Sequence, residues 1–210
     1  MPGSSRRASS GQTRPRRGEG RPRILAAAHR LFVEQGYEAT TIQAIADAAD
    51  VAVQTVYYLF GTKAALLSQV EALAVLGDRP ARSWQDAPWA EELTAETDPR
   101  HLIRRFVAAD AQIKQRLAAF TESVGPALPS DPDSRARRDA GRDQFFRFLI
   151  DRLTALGALR AGLNPRHALD VLSVVNSLPN YVELTARRGW TSDEWELWLS
   201  GLLCEQLLGS

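Results

Sequence analysis

Three times from Asp98 onward the chain places an Asp or Asn directly before a proline, at Asp98-Pro99, Asp131-Pro132 and Asn164-Pro165. Such a side chain accepts hydrogen bonds from the unpaired amides of a helix start, and proline suits the first helical position, where an N–H is not needed. Each pair therefore opens a helix. The first is predicted to run to about Val124, where Gly125-Pro126 stops it; the second ends at Gly157 and the third at Gly189. Thr191 and Glu194 form a capping box that opens a last helix over 192–208. No useful length of chain alternates with the period of a strand, so the chain is predicted to be all-α.

The first half reads as shorter helices. Leu25, Ala28, Leu31 and Phe32 mark one apolar face from Pro22 to about Gly36. Thr41 caps a helix over 41–49 with Ile42, Ile45 and Ala46 inward, and a tight Asp50-Val51 connection leads into 53–60. Thr62 caps a longer helix carrying Leu66, Leu67, Val70 and Leu73. The two central helices are too short to be stable alone, which fits a helix-turn-helix held by its neighbours. The expected organisation is a disordered basic arm (1–20), a helix-turn-helix domain (21–76) and a helical body (77–210). Residues 77–99, with Gly77, Pro80 and Pro88, read as a connector holding one short helix at 90–95.

Charge divides unevenly. In the first 23 residues Arg6, Arg7, Arg14, Arg16, Arg17, Arg21 and Arg23 face only Glu19, a local +6 in a chain of net +1. That asymmetry reads either as a basic arm for a polyanion or as a solubilising tail. One cysteine, Cys204, excludes an internal disulfide, and no apolar run suits a membrane span or a signal peptide. A cytoplasmic protein is expected. His29, His101 and His167 lack metal-ligand spacing, and neither a phosphate-cradling loop nor a catalytic signature is present. No metal, cofactor or enzymatic activity is expected.

The segment 50–60, DVAVQTVYYLF, carries the chemistry. If Val56 and Phe60 face the core, then Gln54, Thr55 and Tyr58 point outward, with Val53 and Tyr57 at the edges. Glutamine can bond two edges of adenine, and Val or Tyr can meet a thymine methyl. Thr and Tyr hydroxyls suit phosphate oxygens, and the amides at the Thr41 helix start can meet another.

These residues, with Leu31-Phe32, Gly36-Tyr37, Thr40-Thr41, Ile45-Ala46, Thr55-Val56-Tyr57, Phe60, Lys63 and Leu66-Leu67, make the first part of the chain resemble the TetR family of tetracycline-repressor-like regulators. By position, the resemblance implies base reading by Gln43, Val53, Gln54 and Tyr58 and phosphate contact by Thr41, Thr55, Tyr57 and Lys63. It also implies a double-stranded operator, a homodimer built by the last two helices, and a small-molecule effector in the body. The chain departs from the pattern at Asp50, where glycine is usual in the turn, and at Ala52, where serine usually caps the recognition helix. Gln54 stands where a small residue is common and Leu59 where His or an aromatic is. These departures leave a rival reading, a small-molecule-binding scaffold with a decayed DNA module.

The body offers its own candidates. Trp195, Trp198, Leu199 and Leu202 cover more than one face of the last helix, as expected of a dimer interface. On the helix from Pro99, Asp110 interrupts an apolar stripe that includes Phe106 and Ile113. A buried carboxylate is costly unless paired, so Asp110 meets either a ligand or an internal arginine. Asn176 and Tyr181 flank Pro179, which is expected to kink its helix and open room beside it.

Overall fold

The computed structural model describes residues 20–76, 84–128 and 132–209. The arm apart from Gly20, the Gly77 and Pro80 region, and the Asp131 cap lie outside them. Ten α-helices follow in order: α1 (Gly20–Gln35), α2 (Ile42–Ala48), α3 (Val53–Phe60), α4 (Lys63–Leu76), α5 (Pro88–Ala95), α6 (Pro99–Val124), α7 (Pro132–Ala155), α8 (Pro165–Val175), α9 (Leu178–Val182) and α10 (Ser192–Leu207). A short 3-10 turn, Trp84–Asp86, precedes α5. The described residues are helical apart from turns and one isolated antiparallel bridge between Leu159 and Leu208.

Predicted caps act as expected. The side chains of Thr41, Asp98 and Asn164 accept from the amides of Ala44, His101 and Arg166 at 3.0, 2.7 and 2.8 Å. Thr191 and Glu194 form both halves of the capping box. Gly157 and Gly189 both take positive φ just past their helices, the backbone form that favours glycine. One expectation fails. The stretch from Pro165 to Gly189 is not a single kinked helix: α8 ends at Val175, Ser177 caps α9, and Glu183–Arg187 forms a π turn. Pro179 sits in the first turn of α9, where its missing N–H is harmless, so it helps begin a helix instead of bending one. The 90–95 helix begins earlier, at Pro88.

Two apolar clusters form. One gathers α1 to α4 around Phe32, Ile45, Val56, Phe60 and Leu66; the other gathers α5 to α10 around Phe106, Phe146, Leu172, Trp195 and Leu199. Helix α6 serves both, for Phe120 and Val124 near its end pack into the first cluster. The Phe120 ring stacks on His29 with centroids 5.8 Å apart. Removing that ring opens a cavity where the two parts join. Phe120→Ala is expected to cost about 3–5 kcal/mol, read as a lowered midpoint in urea unfolding followed by circular dichroism.

Candidate functional site

The helix-turn-helix is built around α3. Val56 and Phe60 are buried, which turns the opposite face to solvent: Tyr58 is 88% exposed, Tyr57 and Gln54 are exposed, and Val53 and Thr55 are half-buried. The side chains of Gln54, Thr55, Tyr57 and Tyr58 make no hydrogen bond to any described residue. Thr41 and Gln43 are exposed on α2, which packs on α3. Gln43 donates to Asp47 at 2.8 Å. Lys63 lies 4.1 Å from the centroid of the Tyr37 ring and donates to the Glu38 carbonyl, which fixes its charge at the start of α4. Thr40 is buried and structural, donating to the carbonyls of Leu31 and Gly36.

Both departures in the turn have a visible consequence. Asp50 takes φ 51°, a left-handed conformation that glycine would adopt more readily. Arg23 braces it, donating to the Asp50 carbonyl at 2.8 Å, to its carboxylate at 3.2 Å and to the carbonyl of Ala49. Ala52 supplies no side-chain cap, and the amide of Thr55 turns to the Ala52 carbonyl at 2.9 Å. Arg21 and Arg23 belong to the arginine-rich first 23 residues. Both lie on α1, where Arg21 also stands 5.0 Å above the Phe60 ring. Contacts spanning such long separations leave no local sequence signal.

In the body, Phe106, Asp110 and Ile113 are all buried on α6. Asp110 is paired internally, but with Lys114 one turn on, not with an arginine. Burial holds the Lys114 ammonium below its ordinary pKa, and the Asp110 charge opposes that shift. The i, i+4 spacing of the pair was visible in the sequence. Asn176 is 0% exposed, and neither its amide nitrogen nor its carbonyl oxygen has a partner. Tyr181 is buried edge-on against Trp195 at 5.4 Å, and the indole N–H of Trp195 is also without an acceptor. Of the residues expected at a dimer interface, Trp195 and Leu199 lie wholly inside the body's own core, Leu202 is half-buried and Trp198 is exposed. Missed by sequence reading were the most exposed apolar side chains here, Leu197 on α10 (80%) and Val174 on α8 (68%).

A chain of this kind, an all-α protein with a helix-turn-helix on a helical body, has clear relatives in fold. Residues 24–70 match the model of the bacterial regulatory proteins of the tetR family. That match covers the helix-turn-helix segment, and about nine tenths of the chain share the fold of solved regulators. NalD of Pseudomonas aeruginosa, the secondary repressor of the MexAB-OprM multidrug efflux pump, is 24% identical, with a TM-score of 0.62 over 90% of this chain and 97% of that one. A transcriptional regulator of Saccharomonospora viridis solved with choline is 20% identical, with a TM-score of 0.67 over 91% and 99%. FadR of Bacillus subtilis, solved with stearoyl-CoA, is 16% identical, with a TM-score of 0.66 over 86% and 96%. No curated protein sequence matches the chain. Among the described residues no helix is long and apolar enough to cross a membrane, and no group of His, Cys, Asp and Glu is placed to hold a metal ion.

The buried ion pair gives a test of its own. Lys114→Met leaves Asp110 charged and unpaired in the core and is expected to cost about 3–5 kcal/mol, whereas Asp110→Leu with Lys114→Met is expected to fall near the parent or above it. Urea unfolding of the two variants separates these outcomes.

Proposed function

We propose that the chain is a homodimeric transcriptional repressor that binds a palindromic operator and leaves it when a small molecule enters the helical body. The observation that carries the DNA reading is the exposed face of α3, whose polar side chains have no hydrogen-bond partner among the described residues. A helix pinned by Val56 and Phe60 presents Gln54, Tyr58 and Val53, with Gln43 beside them, to base edges. Thr41, Thr55, Tyr57 and Lys63 then meet phosphates and set the register. The rival reading, a scaffold with a decayed DNA module, draws on Asp50 and Ala52. Against it stand an intact α3 and the Arg23 brace, which compensates for the missing glycine. Gln54→Ala and Tyr58→Ala are each expected to weaken specific binding by about 1–3 kcal/mol. Fluorescence anisotropy on the DNA upstream of the gene checks this, and indifference to both variants supports the rival.

The division into an arm (1–20), a DNA-reading domain (21–76) and a ligand-binding and dimerising body (77–210) is part of the proposal. Residues 24–75 carry Arg30 and Lys63 against Glu34, Glu38, Asp47, Asp50 and Glu71, a balance of −3 that Arg21 and Arg23 reduce to −1. That domain attracts a duplex weakly, so the arginines before it are assigned to phosphates. Deleting residues 1–20 is expected to lower the logarithmic salt slope of binding by about two or more units per dimer, at about 0.9 for each phosphate lost. A salt titration of both proteins decides it, and parallel slopes count against the arm.

For the effector, Asn176 is the strongest support. An amide buried with both atoms unanswered is expensive, about 1–3 kcal/mol for each group, and a ligand that reaches it recovers that cost. Phe106, Ile113 and Tyr181 supply apolar walls, and the Asp110–Lys114 pair gives a ligand either charge to compete for. For the dimer, Val174 and Leu197, with Trp198, offer apolar area on α8 and α10, which pack together. Leu202 lies on the same helix at the rim, while Trp195 and Leu199 support the surface from within. Leu197→Glu is expected to give a folded monomer in size exclusion with light scattering, and Leu199→Glu an unfolded chain. A Leu197→Glu dimer at micromolar concentration contradicts the interface.

A further inference from the structure

The reading helices are as informative in what they lack as in what they carry. Neither α2 (IQAIADA) nor α3 (VQTVYYLF) contains an arginine or a lysine. Of the cations in residues 20–76, Arg21 donates to Gln69 and stands over the Phe60 ring, and Arg23 grips the carbonyls of Ala49 and Asp50. Lys63 lies over the Tyr37 ring and donates to the Glu38 carbonyl. Arg30 is exposed on α1, outside the reading pair of helices. What α3 does present is an amide with apolar and aromatic neighbours. Gln54 and Tyr58 are exposed one turn apart, and Val53 is half-buried next to Gln54. Gln43 adds a second amide from α2, with one of its hydrogens on Asp47 at 2.8 Å.

The edges of the bases decide which pair such a face fits. Adenine shows an acceptor, N7, beside a donor, its N6 amino group, and a glutamine amide matches both at once. Guanine shows two acceptors, N7 and O6, so one of the two bonds is replaced by an oxygen facing an acceptor. The side chains that bond both guanine acceptors are Arg and Lys, which the two helices lack. Thymine, the partner of adenine, brings a methyl group for Val53 and the Tyr58 ring to cover, and cytosine has none. Donor, acceptor and apolar groups of the face thus select the same pair. We infer that the base pairs read by α3 in each half-site are A·T, with Gln54 bonded to adenine N7 and N6 and with Val53 and Tyr58 against thymine methyls. The assignment rests on the operator reading and goes beyond it by naming the class of sequence.

Selection of duplexes from a random library by the full-length protein and by its Gln54→Arg variant tests it. The parent is expected to enrich half-sites with A·T at the α3 positions, and Gln54→Arg to exchange one adenine for guanine, because arginine bonds both guanine acceptors. On the selected duplex, G·C at that position is expected to weaken the parent about tenfold or more in fluorescence anisotropy. There, 7-deazaadenine, which lacks only the N7 acceptor, is expected to weaken the parent about fivefold or more and to leave Gln54→Ala unchanged. This last comparison carries the test if Gln54→Arg does not fold. Parent half-sites read through G·C, a folded Gln54→Arg variant with the parent's preference, or equal losses in parent and Gln54→Ala on 7-deazaadenine each overturn the A·T assignment and leave the operator reading standing. Retention of duplexes without sequence preference overturns both.

Discussion

Helix α6 belongs to two cores at once, and the rest of the molecule is arranged around it. Its 26 residues span about 39 Å at the rise of an α-helix. Leu102, Ile103, Phe106 and Val107 are buried among the body helices, while Phe120 and Val124 are buried beside α1 and α4. Close-packed side chains do not deform gradually, so a shift of α6 in the body must be felt by α1, against which its far end packs. Helix α1 in turn supports α2, and Arg23 of α1 holds the turn from which α3 departs. A change in the body thus has a continuous packed route to the recognition helix. On the proposed mechanism, a ligand acts by favouring one placement of α6, and the two α3 helices of a dimer lose the spacing an operator requires.

How much of this was legible depended on whether the signal was local. Helix starts were, because a cap and its amide are two or three residues apart: Thr41, Asp98, Asn164 and Thr191 all do what their positions imply. The outward face of α3 was too, since Val56 and Phe60 set its rotation. The break at Asn176 was not. Proline within an apolar run reads as a kink, and only the Ser177 cap on the amide of Asn180 turns it into a new start. The Arg23 brace and the burial of Trp195 and Leu199 depend on residues far away in sequence. Periodicity marked α10 as apolar around much of its circumference, yet it could not tell which side the body would take. The body took Trp195, Leu199 and Leu203, leaving Leu197 outward.

Polar atoms left without partners are the other signature of this molecule. Asn176, Trp195, Trp84 and Arg152 each keep a buried side-chain nitrogen without a partner among the described residues. The Asp110–Lys114 pair shows the alternative, a buried polar site that satisfies itself.

The central claim is that α3 reads base sequence from a two-fold symmetric assembly, and selection of duplexes from a random library by the full-length protein tests it most directly. The account predicts enrichment of inverted repeats whose half-sites lie about one helical turn of DNA apart or at a related spacing. Retention of duplexes without sequence preference, or enrichment of single unpaired sites, would contradict it.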